Sequence, residues 1–207
     1  ELGRNMRKFF GAREGCVLLD ADYSQIELRL LANLSGDRQM QEAFLSGADI
    51  HAATAAQVFG MPREMVTPEM RSAAKAVNFG IIYGISEYGL SESVHCSVKE
   101  AKKFIEAYFA SFPRVKDFVD KTVENAKKTG EVRTLFGRRR KISELSSSNF
   151  MTRSFGERAA MNTPLQGSAA DIIKIAMVNV YNRLKREALK SKLVLQVHDE
   201  LIVEAVS

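Results

Sequence analysis

The sequence predicts an α+β fold, mostly helical, with a small antiparallel sheet formed by its two ends. Three observations carry this. Cys16–Ala21 (CVLLDA) is a short apolar run of strand length near the start. Lys192–Val197 and Leu201–Val206 alternate and are β-rich, with His198, Asp199 and Glu200 as a tight acidic turn between them. Between these ends, segments with helical periodicity follow one another, many opened by Asp, Ser or Thr and closed by Gly. The helices from about 37 to 150 read as an insertion between sheet-forming ends.

Taken in order, residues 4–14 are basic and mixed and read as a connection entering the fold. The strand Cys16–Ala21 delivers Asp22, and Ser24–Leu34 reads as a helix stopped at Gly36. Asp37–Gly47 and Asp49–Gly60 are each an Asp-started, Gly-ended helix, with His51 in the first turn of the second. Thr67–Gly84 is a helix with a capping Thr and Pro68 at its first position, where no N–H is needed. Ser86–Glu92 is a short helix, and Ser97 with Glu100 matches a capping box for a helix to about Ser111. Pro113 opens the next helix and Gly130 closes it. Residues 131–148 break the periodicity, with a hairpin around Gly137 and a Ser-rich loop. Helical pattern resumes at Asn149, and Pro164 and Gly167 predict a break before a long helix from Ser168 to about Leu189.

The chain has 207 residues, 45% hydrophobic and 27% charged, which is enough for one large domain or two small ones. It starts at Glu1 and stops at Ser207 inside an apolar run, and so reads as a piece of a longer protein. Thirty basic residues against 25 acidic give a net charge of +5, a lean toward polyanionic partners, and Arg138–Lys141 is the one dense basic run. Cys16 and Cys96 lack zinc-ligand spacing and fit a reducing cytoplasm. No apolar run approaches the roughly 18–20 residues that span a bilayer, so no membrane partner is expected.

Two stretches carry chemistry. In the first, Arg71, Lys75, Phe79 and Tyr83 recur at intervals of four. Four residues turn a helix by about 400°, so each side chain is rotated only about 40° from the last. One face therefore offers two cations for phosphates and two rings for a base and a sugar, with Ala73, Ala74, Ala76, Val77, Ile81 and Ile82 able to pack behind it. Taken alone, the pattern equally fits aromatics packed in a core beside solvated cations. Gly80 and Gly84, costly inside a helix, mark points of close approach. In the second stretch, Asp22 and Asp199 each lie beside a strand. If those strands pair, two carboxylates meet at one end of a sheet, where Mg²⁺ can relieve their repulsion. Each taken singly also reads as an ordinary turn aspartate.

Three blocks together resemble the family A DNA polymerases, the bacterial DNA polymerase I type. They are Asp22-Tyr23-Ser24-Gln25-Ile26-Glu27-Leu28-Arg29, then Arg71-x3-Lys75-x3-Phe79-Gly80-x2-Tyr83-Gly84, and Val197-His198-Asp199-Glu200. Asp49-Ile50-His51, Gly137-Arg138-Arg139 and Glu157-Arg158-x3-Asn162-x-Pro164-x-Gln166-Gly167 are also similar to the family. The resemblance covers essentially the whole chain and is order-preserving. It implies mostly helical fingers (37–150) inserted into a small antiparallel-sheet palm (1–36 and, truncated, 151–207). It implies template-directed transfer of a deoxynucleotide from dNTP to a primer 3′-hydroxyl, with release of pyrophosphate.

The resemblance implies roles by position. Asp22, Asp199 and the Tyr23 carbonyl hold two Mg²⁺ ions. Arg71 and Lys75 bind the triphosphate, and Lys75 protonates the leaving pyrophosphate. Phe79 stacks near sugar and base, and Tyr83 borders the nascent pair. Glu27 excludes a 2′-hydroxyl, and Gln25 and His51 complete the nucleotide set. Arg158, Asn162, Gln166 and His198 contact primer-template DNA, and Glu200 lies near the metals in support. The implied setting is a bacterial cytoplasm at the nucleoid, and the implied partners include a thumb and remaining palm outside this sequence. Asn33 stands where many relatives have His, and Ser72 where a second Arg is frequent. Two other classes stay open: a nucleic-acid or nucleotide-binding module without catalysis for the fragment, and a single-subunit RNA polymerase, against which Glu27 and Asn78-Phe79-Gly80 weigh.

Overall fold

The computed structural model describes residues 5–206. The expected connection over 4–14 is described from residue 5 and contains a 3₁₀ turn at Arg7–Phe9; residue 4 lies outside the described residues. Strand β1 (Cys16–Asp22) follows, then helices α1 (Ile26–Ser35), α2 (Arg38–Leu45), α3 (Ile50–Phe59), α4 (Pro68–Ile82), α5 (Glu87–Val94), α6 (Val98–Ser111) and α7 (Pro113–Thr129). A short hairpin, β2 (Glu131–Arg133) and β3 (Arg139–Lys141), precedes the long helix α8 (Phe150–Arg186), and β4 (Lys192–Val197) and β5 (Glu200–Val206) end the described chain. The fold is thus mostly helical with small antiparallel sheets.

The helix ends follow the capping chemistry of the sequence. Asp37, Asp49, Thr67, Ser86 and Ser97 each accept backbone N–H bonds at the start of a helix, and Ser97 with Glu100 closes the capping box in both directions. Each such cap is worth about 1 kcal/mol. Gly60 and Gly130 take the left-handed conformation that ends α3 and α7. Helix α1 starts later than its periodicity predicts, because Gln25 sits at φ 59° and cannot be a helical residue.

The larger correction is at Pro164. The predicted break does not occur: α8 is continuous for 37 residues with Pro164 inside it. Proline removes one i→i−4 hydrogen bond and crowds the carbonyl four residues back. Around it, side chains add bonds to neighbouring backbone groups. The Thr163 hydroxyl donates to the Ala159 carbonyl at 2.6 Å, and the Ser168 hydroxyl donates to the Pro164 carbonyl. The β2–β3 hairpin then buttresses the same turn: Leu135 N donates to Ser168 Oγ at 2.8 Å and an Arg138 terminal nitrogen to the Gly167 carbonyl at 3.0 Å. A side chain on Gly167 would strike Thr134, within 2.6 Å of its methyl, so the glycine serves close packing rather than helix termination.

The chain divides into two compact units, one holding the chain up to Ile26 and from Ala169 onward, the other running from Glu27 to Ser168. The first contains the three-stranded sheet, ordered β1-β5-β4 and wholly antiparallel. The register aligns Cys16 with Val206 and Asp22 with Glu200. An irregularity between Leu193 and Leu195 shifts the β4 pairing. Arg13 is tied to this sheet: its N and Nε donate to the Glu204 carboxylate at 3.0 and 2.7 Å. Glu204 is buried, and the Arg13 N–H and guanidinium hold its carboxyl below the usual range.

The second unit holds most of the apolar core. Leu28, Leu31, Met40, Ile50, Leu90, Tyr108 and Val115 are almost wholly shielded from solvent. Burial of each such side chain contributes roughly 1.5–3 kcal/mol. A separate cluster of Ala126, Val132, Ile142, Leu145 and Ala160 seats the β2–β3 hairpin against α7 and α8.

Candidate active site

In the sheet unit, β1 ends at Asp22 and β5 begins at Glu200, and antiparallel register sets these two residues opposite each other. The β4–β5 turn therefore brings Asp199 next to the end of β1, and Tyr23 N donates to the Asp199 carbonyl at 3.1 Å. The turn is tight: His198 adopts φ 52°, and Gln196 Nε2 donates to its carbonyl at 2.6 Å. Loss of hydration raises the Asp22 carboxyl above its usual range, and the nearby negative charges of Asp199 and Asp20 raise it further. The expected meeting of Asp22 and Asp199 at one sheet end is what the register produces. Among the described residues no group of three or more His, Cys, Asp or Glu is placed to hold a metal ion. Asp22, Asp199 and the backbone of Tyr23 lie together at this end of the sheet. Carboxylate and carbonyl oxygens are hard donors of the kind that could hold Mg²⁺, whose shell is otherwise filled by water and phosphates.

In the helical unit, α4 presents the other set. Thr67 accepts from Met70 N to open the helix, and Tyr83 is its C-terminal cap. Arg71, Lys75 and Tyr83 are exposed and Phe79 is half-buried, while Ala74, Val77, Asn78, Gly80, Ile81 and Ile82 are buried behind them. Tyr83 donates its hydroxyl to Glu27 Oε2 at 3.0 Å, joining two predicted nucleotide residues from α4 and α1. Gly80 permits the chain to fold back: a side chain there would meet Ile85 at 2.5 Å. Gly84, at φ 64°, lies against Met161 and Arg158 of α8, so α8 closes one side of this region. A cavity of about 470 Å³ opens here, lined by Phe79, Gly80, Tyr83, Gly84, Ile85 and Arg158 among others.

The remaining predicted residues lie on α8, on the sheet turn and before α1. Arg158 borders that cavity, its Nη1 donating to Ser154 Oγ at 2.9 Å. Asn162, one turn on, has a buried Oδ1 with no hydrogen-bond partner among the described residues. Gln166 is exposed on the same helix, and His198 is exposed on the sheet turn. Gln25 is half-buried before α1.

His51 is buried between α3 and α4. It is 2% exposed, its Nδ1 is 3.1 Å from Asn78 Nδ2, and its ring tilts against Phe79 at 5.8 Å. Which of the two groups donates in this contact follows the imidazole tautomer. Burial pushes the imidazole below its usual range, helped by Arg71 and Lys75 against the opposing pull of Asp49. Asn78 also bonds Thr54 Oγ1 at 3.1 Å, so a buried polar network joins α3 to α4.

Sequence reasoning missed two of these partners. Asn78 is a polar residue on the buried stripe Ala74, Asn78, Ile81, Ile82, a signal visible in the periodicity. Asp49, read as a helix start and as part of a family-like run, also binds Arg71, with Nε to Oδ2 at 2.6 Å. No local pattern announces a contact spanning 22 residues.

The whole chain, residues 1–207, matches the model of DNA polymerase family A. It is 56% identical over 203 residues to DNA polymerase I of Caldicellulosiruptor bescii, covering 98% of this chain and 24% of that protein. It is 54% identical over 206 residues to DNA polymerase I of Geobacillus stearothermophilus, covering 99% and 24%. The chain thus spans about a quarter of the length of these relatives. Its fold matches the POL domain of Pol1 from M. smegmatis, solved in complex with DNA primer-template and dNTP, at a TM-score of 0.94 and 47% identity. That match covers 100% of this chain and 37% of the other. Sheet register, the α4 face and these matches together place the chain in DNA polymerase family A.

Proposed function

We propose that this chain supplies the fingers (37–150) and much of the palm (1–36 and 151–207) of a DNA-directed DNA polymerase. It acts with a thumb and the remaining palm on primer-template DNA and dNTP, in a bacterial cytoplasm. The observation that carries the reading is the β1–β5 register, which sets Asp22 beside Asp199. The M. smegmatis neighbour, solved with DNA and dNTP, supports the choice of substrates.

In the proposed reaction the primer 3′-oxygen bonds to the α-phosphorus of the nucleotide as the bond to pyrophosphate breaks. Asp22, Asp199 and the Tyr23 carbonyl, with Glu200 in support, would hold two Mg²⁺ ions, which would supply neutralisation of the charge that develops in the transfer. Arg71 grips phosphate oxygens with its planar fork, and Lys75 binds them as a point charge and gives its proton to the pyrophosphate. Phe79 and Tyr83 border the sugar and the nascent pair. Glu27, with one oxygen held by Tyr83, fills the space a 2′-hydroxyl would need. Gln25 borders the same nucleotide. His51, buried and anchored by Asn78, backs Phe79. Arg158, Asn162, Gln166 and His198 contact DNA without reading sequence, as a copying enzyme requires.

Primer extension by the full-length protein with Mg²⁺ tests this. Asp22→Asn and Asp199→Asn are each expected to slow extension by roughly 10³-fold, the loss of several kcal/mol of transition-state charge stabilisation. Glu27→Ala in the same assay is expected to admit ribonucleotides. Undiminished extension by either Asn variant would end the two-metal assignment, and DNA binding without extension by the wild type would leave a binding module.

A further inference from the structure

Arg71 does not stand alone on the α4 face. Asp49 uses its two oxygens in opposite directions. Oδ1 accepts His51 N and Ala52 N at 2.9 and 3.2 Å, which fixes the carboxylate to the start of α3. Oδ2 accepts Arg71 Nε at 2.6 Å. The carboxylate is thus locked by its own helix before it meets the arginine. Burial works against its charge, but Arg71 and the two amides outweigh this and hold the carboxyl below its usual range. The bond to Arg71 is made through Nε and not through the terminal nitrogens. A guanidinium binds an oxyanion best with two parallel N–H groups. The Arg71 and Asp49 side chains are each close to half-exposed, so a phosphate can reach the edge of the guanidinium that Asp49 leaves open.

We propose that Asp49 is a positioning residue for the incoming nucleotide: it holds Arg71 through Nε so that the terminal nitrogens are already turned outward for a phosphate. The proposal rests on the reading of α4 as a triphosphate site and adds to it. An arginine on a flexible stem loses rotamer freedom on gripping a ligand. Asp49 takes up part of that ordering beforehand, and it stays in place when the phosphate arrives.

The test is Asp49→Asn in the full-length protein, since asparagine caps a helix as well as aspartate. The melting temperature should then stay near wild type. The KM for deoxynucleoside triphosphate should rise about five-fold, the scale of a partly exposed ion pair, with kcat nearly unchanged. Arg71→Ala should raise KM more, and Asp49→Asn on that background should add nothing further, because Asp49 acts through Arg71. A purely structural role would not give that non-additivity. Three results overturn the proposal: an unchanged KM in Asp49→Asn, a lowered KM, which makes Asp49 a competitor of the phosphate, or effects that add in the double variant. If Arg71→Ala itself leaves KM unchanged, the triphosphate reading of α4 falls along with it.

Discussion

The acidic end of the sheet and the cationic face of α4 are built by opposite routes. Asp22 and Asp199 are 177 positions apart in the numbering and meet because two strands pair in one register. Slipping that register by one residue would send alternate side chains to opposite faces. Arg71, Lys75, Phe79 and Tyr83 come together within 13 residues because a helix turns by a fixed angle. The first group depends on the long-range fold, and the second on local geometry anchored by one cap and one glycine. Charge follows the same division. Like charges crowd at the sheet end and raise the Asp22 carboxyl, while on α4 the cation Arg71 has a carboxylate beside it.

The comparison can be broken first on the helix. Lys75→Ala is expected to lower kcat by about 10²-fold or more if the ammonium gives a proton to the leaving group. A loss seen in KM alone would reduce Lys75 to a binding charge, and the two regions would then differ in role as well as in construction.

Next comes the glycine that ends the helical face. Gly84→Ala places a methyl against Met161 and Arg158 at φ 64°. It should cost about 1–3 kcal/mol and lower the melting temperature by several degrees. An unchanged melting temperature would mean that α8 yields there and that the face is less tightly seated than its contacts imply.

The smallest effect concerns protonation at the sheet end. Because the Asp22 carboxyl is raised in the folded chain, its ionisation works against folding. That penalty is absent below the unfolded pKa, grows as pH rises through the folded value, and is constant above it. Asp199→Asn removes one source of the rise, so the Asp22 titration, followed by carboxyl ¹³C NMR, should move toward lower pH. An unmoved midpoint would mean that the two carboxylates do not share a field.

This contrast also explains what could be read from the residues. The caps at Asp37, Asp49, Thr67, Ser86 and Ser97 were legible because a cap is a local hydrogen bond. The α4 face was legible because its spacing is local too. Asp22 and Asp199 could be suspected of meeting, since each lies beside a strand, but only the register joins them. Pro164 misled because its helix-breaking tendency is local, while the hairpin that braces this turn at Leu135 and Arg138 is tertiary. Tyr83 with Glu27 and Arg71 with Asp49 were silent for the same reason: their partners lie 56 and 22 residues away.

The Thr54–Asn78–His51 network has a mechanical consequence. All three side chains are buried, so sliding α3 past α4 would strand polar atoms away from water at roughly 1–3 kcal/mol each. The two helices are therefore pinned as a pair. Rotating or sliding α4 alone would break this seam, so α3, with Asp49 at its N-terminal end, and α4, with Arg71 and Lys75, form one stiff two-helix piece.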